Sequence, residues 1–158
     1  MDYPRPIKVA IDMDGVMADF IGTYDHMEGT DDEKWEFIFT KPGFWGALRP
    51  LVDRDDVAAL NKLTIKVDLY FITARPTKWA KAETEMWLGS IGIILPTVIT
   101  CAKVSDKPAA LSGMAINALL EDMVEVAKKF NDLSYGRALV VLRNQPTNTV
   151  AGYGCSYL

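Results

Sequence analysis

The sequence predicts an α/β fold: a three-layer sandwich in which helices cover both faces of a parallel sheet of about five strands, with a small helical insertion near the start. Three observations carry this. Short apolar runs recur at residues 7–11, 67–72, 97–101, 118–120 and 138–142. Stretches with helical spacing or helix-start signals separate them. The runs lead into Asp12, Thr73, Lys107 and Glu121, at the carboxyl edge where open α/β sheets bind ligands.

The first strand, 7–11, enters Asp12-Met13-Asp14-Gly15-Val16. Residues 17–52 follow, rich in aromatics and acids and without a strand period, so they read as a helical insertion. Asp31, Asp32 and Glu33 suit a helix start before Trp35, Phe37, Ile38 and Phe39, and Lys41-Pro42-Gly43 ends that helix. Val57, Leu60 and Leu63 mark an amphipathic helix before the strand 67–72. A long helix is expected over 76–91, opened by Pro76. A strand at 97–101, a helix at 108–114, a strand at 118–120, a helix at 123–130 and a strand at 138–142 complete the alternation. Gly152 and Gly154 give the end of the chain the character of a flexible tail.

With 158 residues, 49% hydrophobic and 24% charged, the chain fits one domain over 1–158, with 17–52 inserted in it. The net charge of −4 argues against a long nucleic acid as partner. A small phosphorylated substrate stays compatible, provided a cation reverses the local sign. Cys101 and Cys155 do not make a disulfide framework, the first residues lack an apolar signal core, and no apolar run reaches membrane-spanning length. The expectation is a cytoplasmic protein without a membrane partner, a homodimer being admitted.

Residues two apart on an extended chain point the same way, so Asp12 and Asp14 can face one site, and Gly15 lets the chain turn. Paired acids in different environments can divide nucleophilic attack on phosphorus from handling of the leaving-group proton. The same acids also suit a calcium loop, but the remaining positions of that motif are not met. Thr73 and the amides after it offer a cradle for phosphate oxygens, or simply an N-cap. Lys107 beside Pro108 places a cation at a helix start, against the helix dipole, which pairing with phosphate and a nucleophilic aspartate would justify. Glu121-Asp122 would repel Asp12 and Asp14 unless a cation sat among them, and magnesium takes oxygen ligands of this kind. Each feature alone has an ordinary structural explanation. The ordered set is much harder to obtain by chance.

That set resembles the haloacid dehalogenase superfamily of magnesium-dependent phosphotransferases, whose motif regions match in order at Asp12-Met13-Asp14-Gly15-Val16, Thr73, Lys107 and Glu121-Asp122. Within it, residues 12–20, Pro42-Gly43-Phe44-Trp45 and Asn144-Gln145-Pro146-Thr147-Asn148 resemble the 5'(3')-deoxyribonucleotidases. The chain departs from them in having Ala74-Arg75-Pro76 after Thr73 where a serine-proline turn is usual, and Glu121 for the first of two aspartates. The resemblance implies a Rossmann-like sheet with residues 17–52 as a cap, and hydrolysis of nucleoside monophosphates through an aspartyl-phosphate. Asp12 would be the nucleophile and Asp14 the acid and base. Mg2+ would be held by Asp12, the Asp14 carbonyl and Asp122, with Glu121 behind them. Thr73 and Lys107 would stabilise the phosphoryl group, with Lys103 a second candidate cation.

Phe20, Phe44 and Trp45 could stack on a nucleobase, or serve as core. Ala74 and Arg75 are placed at the substrate; Arg75 and Arg143 could touch a phosphate or a base edge, and equally suit a surface. Trp35, Trp79 and Trp87 are assigned to packing. Phosphatases for another small ester or a nucleic-acid 3'-phosphate end, and a non-catalytic binding relative, are the alternatives. His26 is the only histidine and Cys101 lacks the arginine of a cysteine phosphatase loop, which sets those schemes aside.

Overall fold

Strand β1 (Ile7–Asp12) runs through the middle of the sheet and pairs in parallel with β4 (Val67–Thr73) on one side and β6 (Ala118–Glu121) on the other. The computed structural model describes residues 6–143 and, as backbone, the strand at 155–157. Outside β4 lies β5 (Val98–Thr100); outside β6 lie β7 (Leu139–Leu142) and β8 (Cys155–Tyr157), giving the all-parallel order β5-β4-β1-β6-β7-β8. The five expected strands are all present. The sixth, β8, falls where glycines had suggested a tail; three edge residues are too short to show a period. Residues 144–148 lie outside the described part.

Alternation along the strands sorts their side chains onto two faces. Ile11, Leu69 and Phe71 join one apolar cluster with Val57 of α3 (Arg54–Leu63) and Trp87 and Leu88 of α4 (Ala80–Ser90). Ala10, Ile72, Leu119 and Val140 join a second with Leu111 of α5 (Lys107–Gly113) and Ala127 and Phe130 of α6 (Val124–Leu133). This is the expected three-layer arrangement. Burying each large side chain in these layers contributes ~1.5–3 kcal/mol.

The insertion holds α1 (Phe20–Asp25) and α2 (Asp31–Thr40), the latter starting with a capping box in which Thr30 and Glu33 satisfy each other's backbone amides. It is not wholly helical as expected: β2 (Ala18–Asp19) and β3 (Arg49–Pro50) form an antiparallel ribbon closed by the Arg49–Asp19 ion pair. Two-residue strands carry no readable period. Ile38, Phe44, Trp45 and Leu48 from the insertion are buried in the same cluster as Phe71 and Trp87, and the indole N–H of Trp87 donates to the Leu48 carbonyl at 2.7 Å.

Helix α4 begins at Ala80, four residues later than the expected start at Pro76. The side chains on either side of Pro76 are drawn off: Arg75 turns to Asp14, and Thr77 Oγ1 accepts the Trp45 indole N–H at 3.1 Å.

Candidate active site

The site sits at the carboxyl rim of the three central strands, where parallel register brings the ends of β1, β4 and β6 level. Asp12 ends β1, Thr73 ends β4 and Glu121 ends β6, and all three are buried. Lys107, the first residue of α5, points back at this rim. Its Nζ donates to Asp12 Oδ1 at 2.6 Å and to Glu121 Oε2 at 3.1 Å, with 3% of the side chain exposed. This resolves the dipole conflict noted in the sequence, because two carboxylates hold the ammonium there. Lys103 is exposed, so of the two candidate lysines Lys107 is the one at the site.

Glu121 is held on both sides: Oε2 faces Lys107 and Oε1 accepts the backbone N–H groups of Asp122 and Met123. Gly15 explains itself against Asp122. It has φ +86°, and a Cβ there would lie 1.9 Å from Asp122 Oδ2. The glycine therefore serves both the turn and the close approach of the two loops. Arg143 reinforces the same loop, donating to the carbonyls of Gly15 and Val16. It is a brace for the loop rather than a solvated surface residue.

Burial sets the protonation of the cluster. It raises the Asp12 carboxyl well above the ordinary range, Glu121 adds to the rise, and Lys107 opposes it. Glu121 is raised by burial against the pull of Lys107. Asp122 is pushed up to about 6, by burial first and then by Asp12. Lys107 goes upward: burial would lower it, but Asp12 and Glu121 together outweigh that. One ammonium thus faces three acids.

Ligand oxygens of Asp12, Glu121 and Asp122 lie within 4.8 Å of one another. A hard divalent cation such as Mg2+ fits this set, since it takes carboxylate oxygens and would relieve the repulsion that burial intensifies. With both Glu121 oxygens already held, Asp12 and Asp122 are the better placed to ligate.

Asp14 faces different neighbours. Arg75 grips it with two N–H groups, Nε to Oδ2 at 3.1 Å and Nη2 to Oδ1 at 2.6 Å, and Thr73 Oγ1 donates to Oδ2 at 3.0 Å. The Arg75 side chain is fully buried, and its Nη1 donates to Thr84 Oγ1 at 2.7 Å. This corrects two expectations: Arg75 is neither a surface residue nor on the cavity wall, and the Thr73 hydroxyl is engaged by Asp14.

A cavity of about 540 Å3 opens above the acids, lined by Asp14, Asp122 and Ala74 together with the rings of Phe20, Trp35 and Trp45. Phe20 stacks on Trp45 with centroids 5.9 Å apart. Phe44 does not line this space; it is buried edge-on behind Trp45 at 4.9 Å. Trp35, assigned from sequence to packing, is over a third exposed and lines the cavity. Its helical spacing suited the core, and only the placement of α2 over the rim shows otherwise. Trp87 is core as expected, and Trp79 packs half-buried against the same cluster. Glu83 went unnoticed in the sequence although it fixes the insertion loop, accepting the amides of Gly43 at 2.6 Å and Trp45 at 3.1 Å. His26 is exposed at the end of α1, its Nδ1 donating to the Gly22 carbonyl, and Cys101 is a buried free thiol.

No family model matches the sequence, and no curated protein matches it. Among solved structures, a protein of Burkholderia xenovorans LB400 provisionally described as a haloacid dehalogenase-like hydrolase superposes with a TM-score of 0.64. The match covers 98% of this chain and 95% of that one at 11% identity. The fold of this chain is therefore haloacid dehalogenase-like. Among the described residues, no helix is long and apolar enough to cross a membrane.

Proposed function

We propose that this protein is a magnesium-dependent phosphatase of small phosphate monoesters, acting on nucleoside monophosphates through an aspartyl-phosphate. The observation that carries the reading is the cluster at the end of the central strand: ligand oxygens of buried Asp12 and Glu121 and half-buried Asp122 lie within 4.8 Å of one another, and the Lys107 ammonium pairs with the first two. Such charge crowding is costly unless a cation and an anionic ligand complete it.

The proposed roles follow from the neighbours of each group. An Asp12 oxygen attacks phosphorus while the ester P–O bond breaks, and Asp14, entering the cycle protonated, passes that proton to the departing oxygen. A water oxygen then attacks phosphorus as Asp14 takes the water proton, the Asp12–phosphorus bond breaks, and inorganic phosphate leaves with Asp12 restored. Lys107 orients Asp12 and meets phosphoryl charge, and Glu121 holds Lys107. Magnesium bound by Asp12 and Asp122 would neutralise phosphate charge and favour its approach to an anionic nucleophile. The loop after Thr73, including Ala74, offers backbone to the phosphoryl oxygens.

The nucleoside preference rests on the cavity walls. Phe20, Trp35 and Trp45 present aromatic surface beside the acids, which suits a flat base attached to the phosphate. The insertion that supplies these rings then acts as a cap. Phosphate release from a panel of nucleoside monophosphates, sugar phosphates and oligonucleotide 3'-phosphates, with and without magnesium, tests the reading. Nucleotides should be the best substrates, and Asp12→Asn should abolish release by ~10^4-fold or more. Release unaffected by magnesium or by Asp12→Asn would refute the chemistry; equal rates on sugar phosphates would refute the base pocket alone.

A further inference from the structure

We propose that Arg75 is a positioning residue that aims Asp14 for proton transfer to the leaving group; this rests on the phosphatase reading above. Four contacts on one side chain carry it. Two N–H groups hold both Asp14 oxygens, a third holds Thr84 Oγ1, and the guanidinium carbon lies 4.7 Å from the Trp45 ring centroid.

The arrangement locates Asp14 more tightly than catalysis by an ordinary solvated carboxylate requires. Asp14 keeps 25% of its side chain exposed and lines the cavity, whereas Arg75 keeps none. A planar fork meeting a carboxylate fixes the carboxylate plane as well as its distance. The fork is itself immobile. Thr84, whose own hydroxyl donates to the Ala80 carbonyl at 2.6 Å, anchors it from α4, and Trp45 covers its face. Trp45 is fixed in turn by Thr77 and Glu83. The rotamer of Asp14 is thereby tied to α4 and to the aromatic wall, not left to solvent. Lysine cannot reproduce this, because a single ammonium has no fork.

The consequence concerns the leaving group. An alkoxide must receive a proton as it departs, whereas p-nitrophenolate leaves as a stable anion. If Arg75 acts through Asp14, its loss harms alkyl esters and spares aryl esters. The measurement is kcat/KM on glycerol phosphate and on p-nitrophenyl phosphate, since this ratio covers the steps up to leaving-group departure and excludes the later attack of water. Arg75→Lys is expected to lower kcat/KM on the alkyl ester by about 100-fold and on the aryl ester by less than about threefold. Thr84→Val removes the anchor without touching Asp14 and should give the same selective pattern at smaller size. It carries the test alone if Arg75→Lys does not fold.

Equal losses on both esters would overturn the proposal in favour of a structural or substrate-binding role. No loss on either would overturn it as well. Crystal structures of the two variants decide the positioning without turnover: Asp14 in a new rotamer supports it, and Asp14 unmoved contradicts it. Wild-type protein inactive on both esters would instead remove the phosphatase reading, and those structures would still answer whether Arg75 holds Asp14.

Discussion

Asp12 and Asp14 stand two residues apart on the same strand end, yet they meet opposite surroundings. Asp12 is buried among other acids with one ammonium, from α5, beside it. Asp14 is partly open to the cavity and is held by a hydroxyl from the end of β4 and a guanidinium from the loop that follows it. The comparison teaches that two-residue spacing gives two carboxylates a common direction but not a common environment. The environment comes from the neighbouring strands. The β6 side surrounds Asp12 with negative charge that a cation can repay, while the β4 side gives Asp14 fixed donors.

The largest way to break this contrast is to remove the ammonium. Lys107→Met leaves Asp12 and Glu121 buried without their cation and should cost about 3–5 kcal/mol of stability. Urea unfolding of the metal-free protein measures it, and adding Glu121→Gln should restore part of the loss. An unchanged midpoint for the single variant would mean that the acids are protonated or hydrated in some other way.

On the Asp14 side a milder change suffices. Thr73→Val keeps shape but removes one hydrogen bond to a charged acceptor, worth ~1.5 kcal/mol, so stability should fall by about that amount and turnover about tenfold as Asp14 loses a fixed donor. Steady-state kinetics beside a melting curve separates the two quantities. A fall in melting temperature with turnover unchanged would make Thr73 a fold residue only.

The third test sharpens the electrostatic difference through pH. Asp122 is raised to about 6 in the folded chain from an ordinary 3.8. Between those values the folded state holds more protons than the unfolded state, so this group makes the metal-free protein less stable as pH rises through that window. Magnesium needs the deprotonated carboxylate, so the melting-temperature gain it gives should shrink as pH falls through about 6. Differential scanning with and without magnesium across that range reads both trends. A magnesium gain that grows on acidification would place the ion elsewhere.

The smallest expected effect lies at the cavity wall. Trp35→Ala should raise KM for a nucleoside monophosphate about fivefold, the equivalent of ~1 kcal/mol of stacking, and leave KM for glycerol phosphate unchanged. Equal changes for both would return Trp35 to packing.

Much of the sheet and its rim was legible in the sequence, because each motif residue follows an apolar run whose length and composition fix a strand. Asp12, Thr73 and Glu121 are located in this way, and Lys107 by its place beside Pro108 at a helix start, without knowing which strands are neighbours. Arg75 shows the limit: its position in the chain puts it beside the site, but not which way its guanidinium turns or that Thr84 and Trp45 enclose it. Trp35 lines the cavity although its helical spacing suits packing, and Phe44, which the sequence leaves open between a base and the core, is core. Periodicity tells which side of a helix is apolar, whereas exposure to a cavity depends on where the insertion rests on the sheet. The β2–β3 ribbon, the late start of α4 and strand β8 are short-range backbone outcomes that leave no pattern long enough to read.

The central claim is that Asp12 carries the phosphoryl group. Acid quenching during turnover of a nucleoside monophosphate with magnesium, followed by mass spectrometry of the digested protein, tests it most directly. One added phosphoryl group on the peptide containing Asp12, absent in Asp12→Asn, is the predicted result. Steady phosphate release with Asp12 unmodified at every quench time, and continuing in Asp12→Asn, would contradict it.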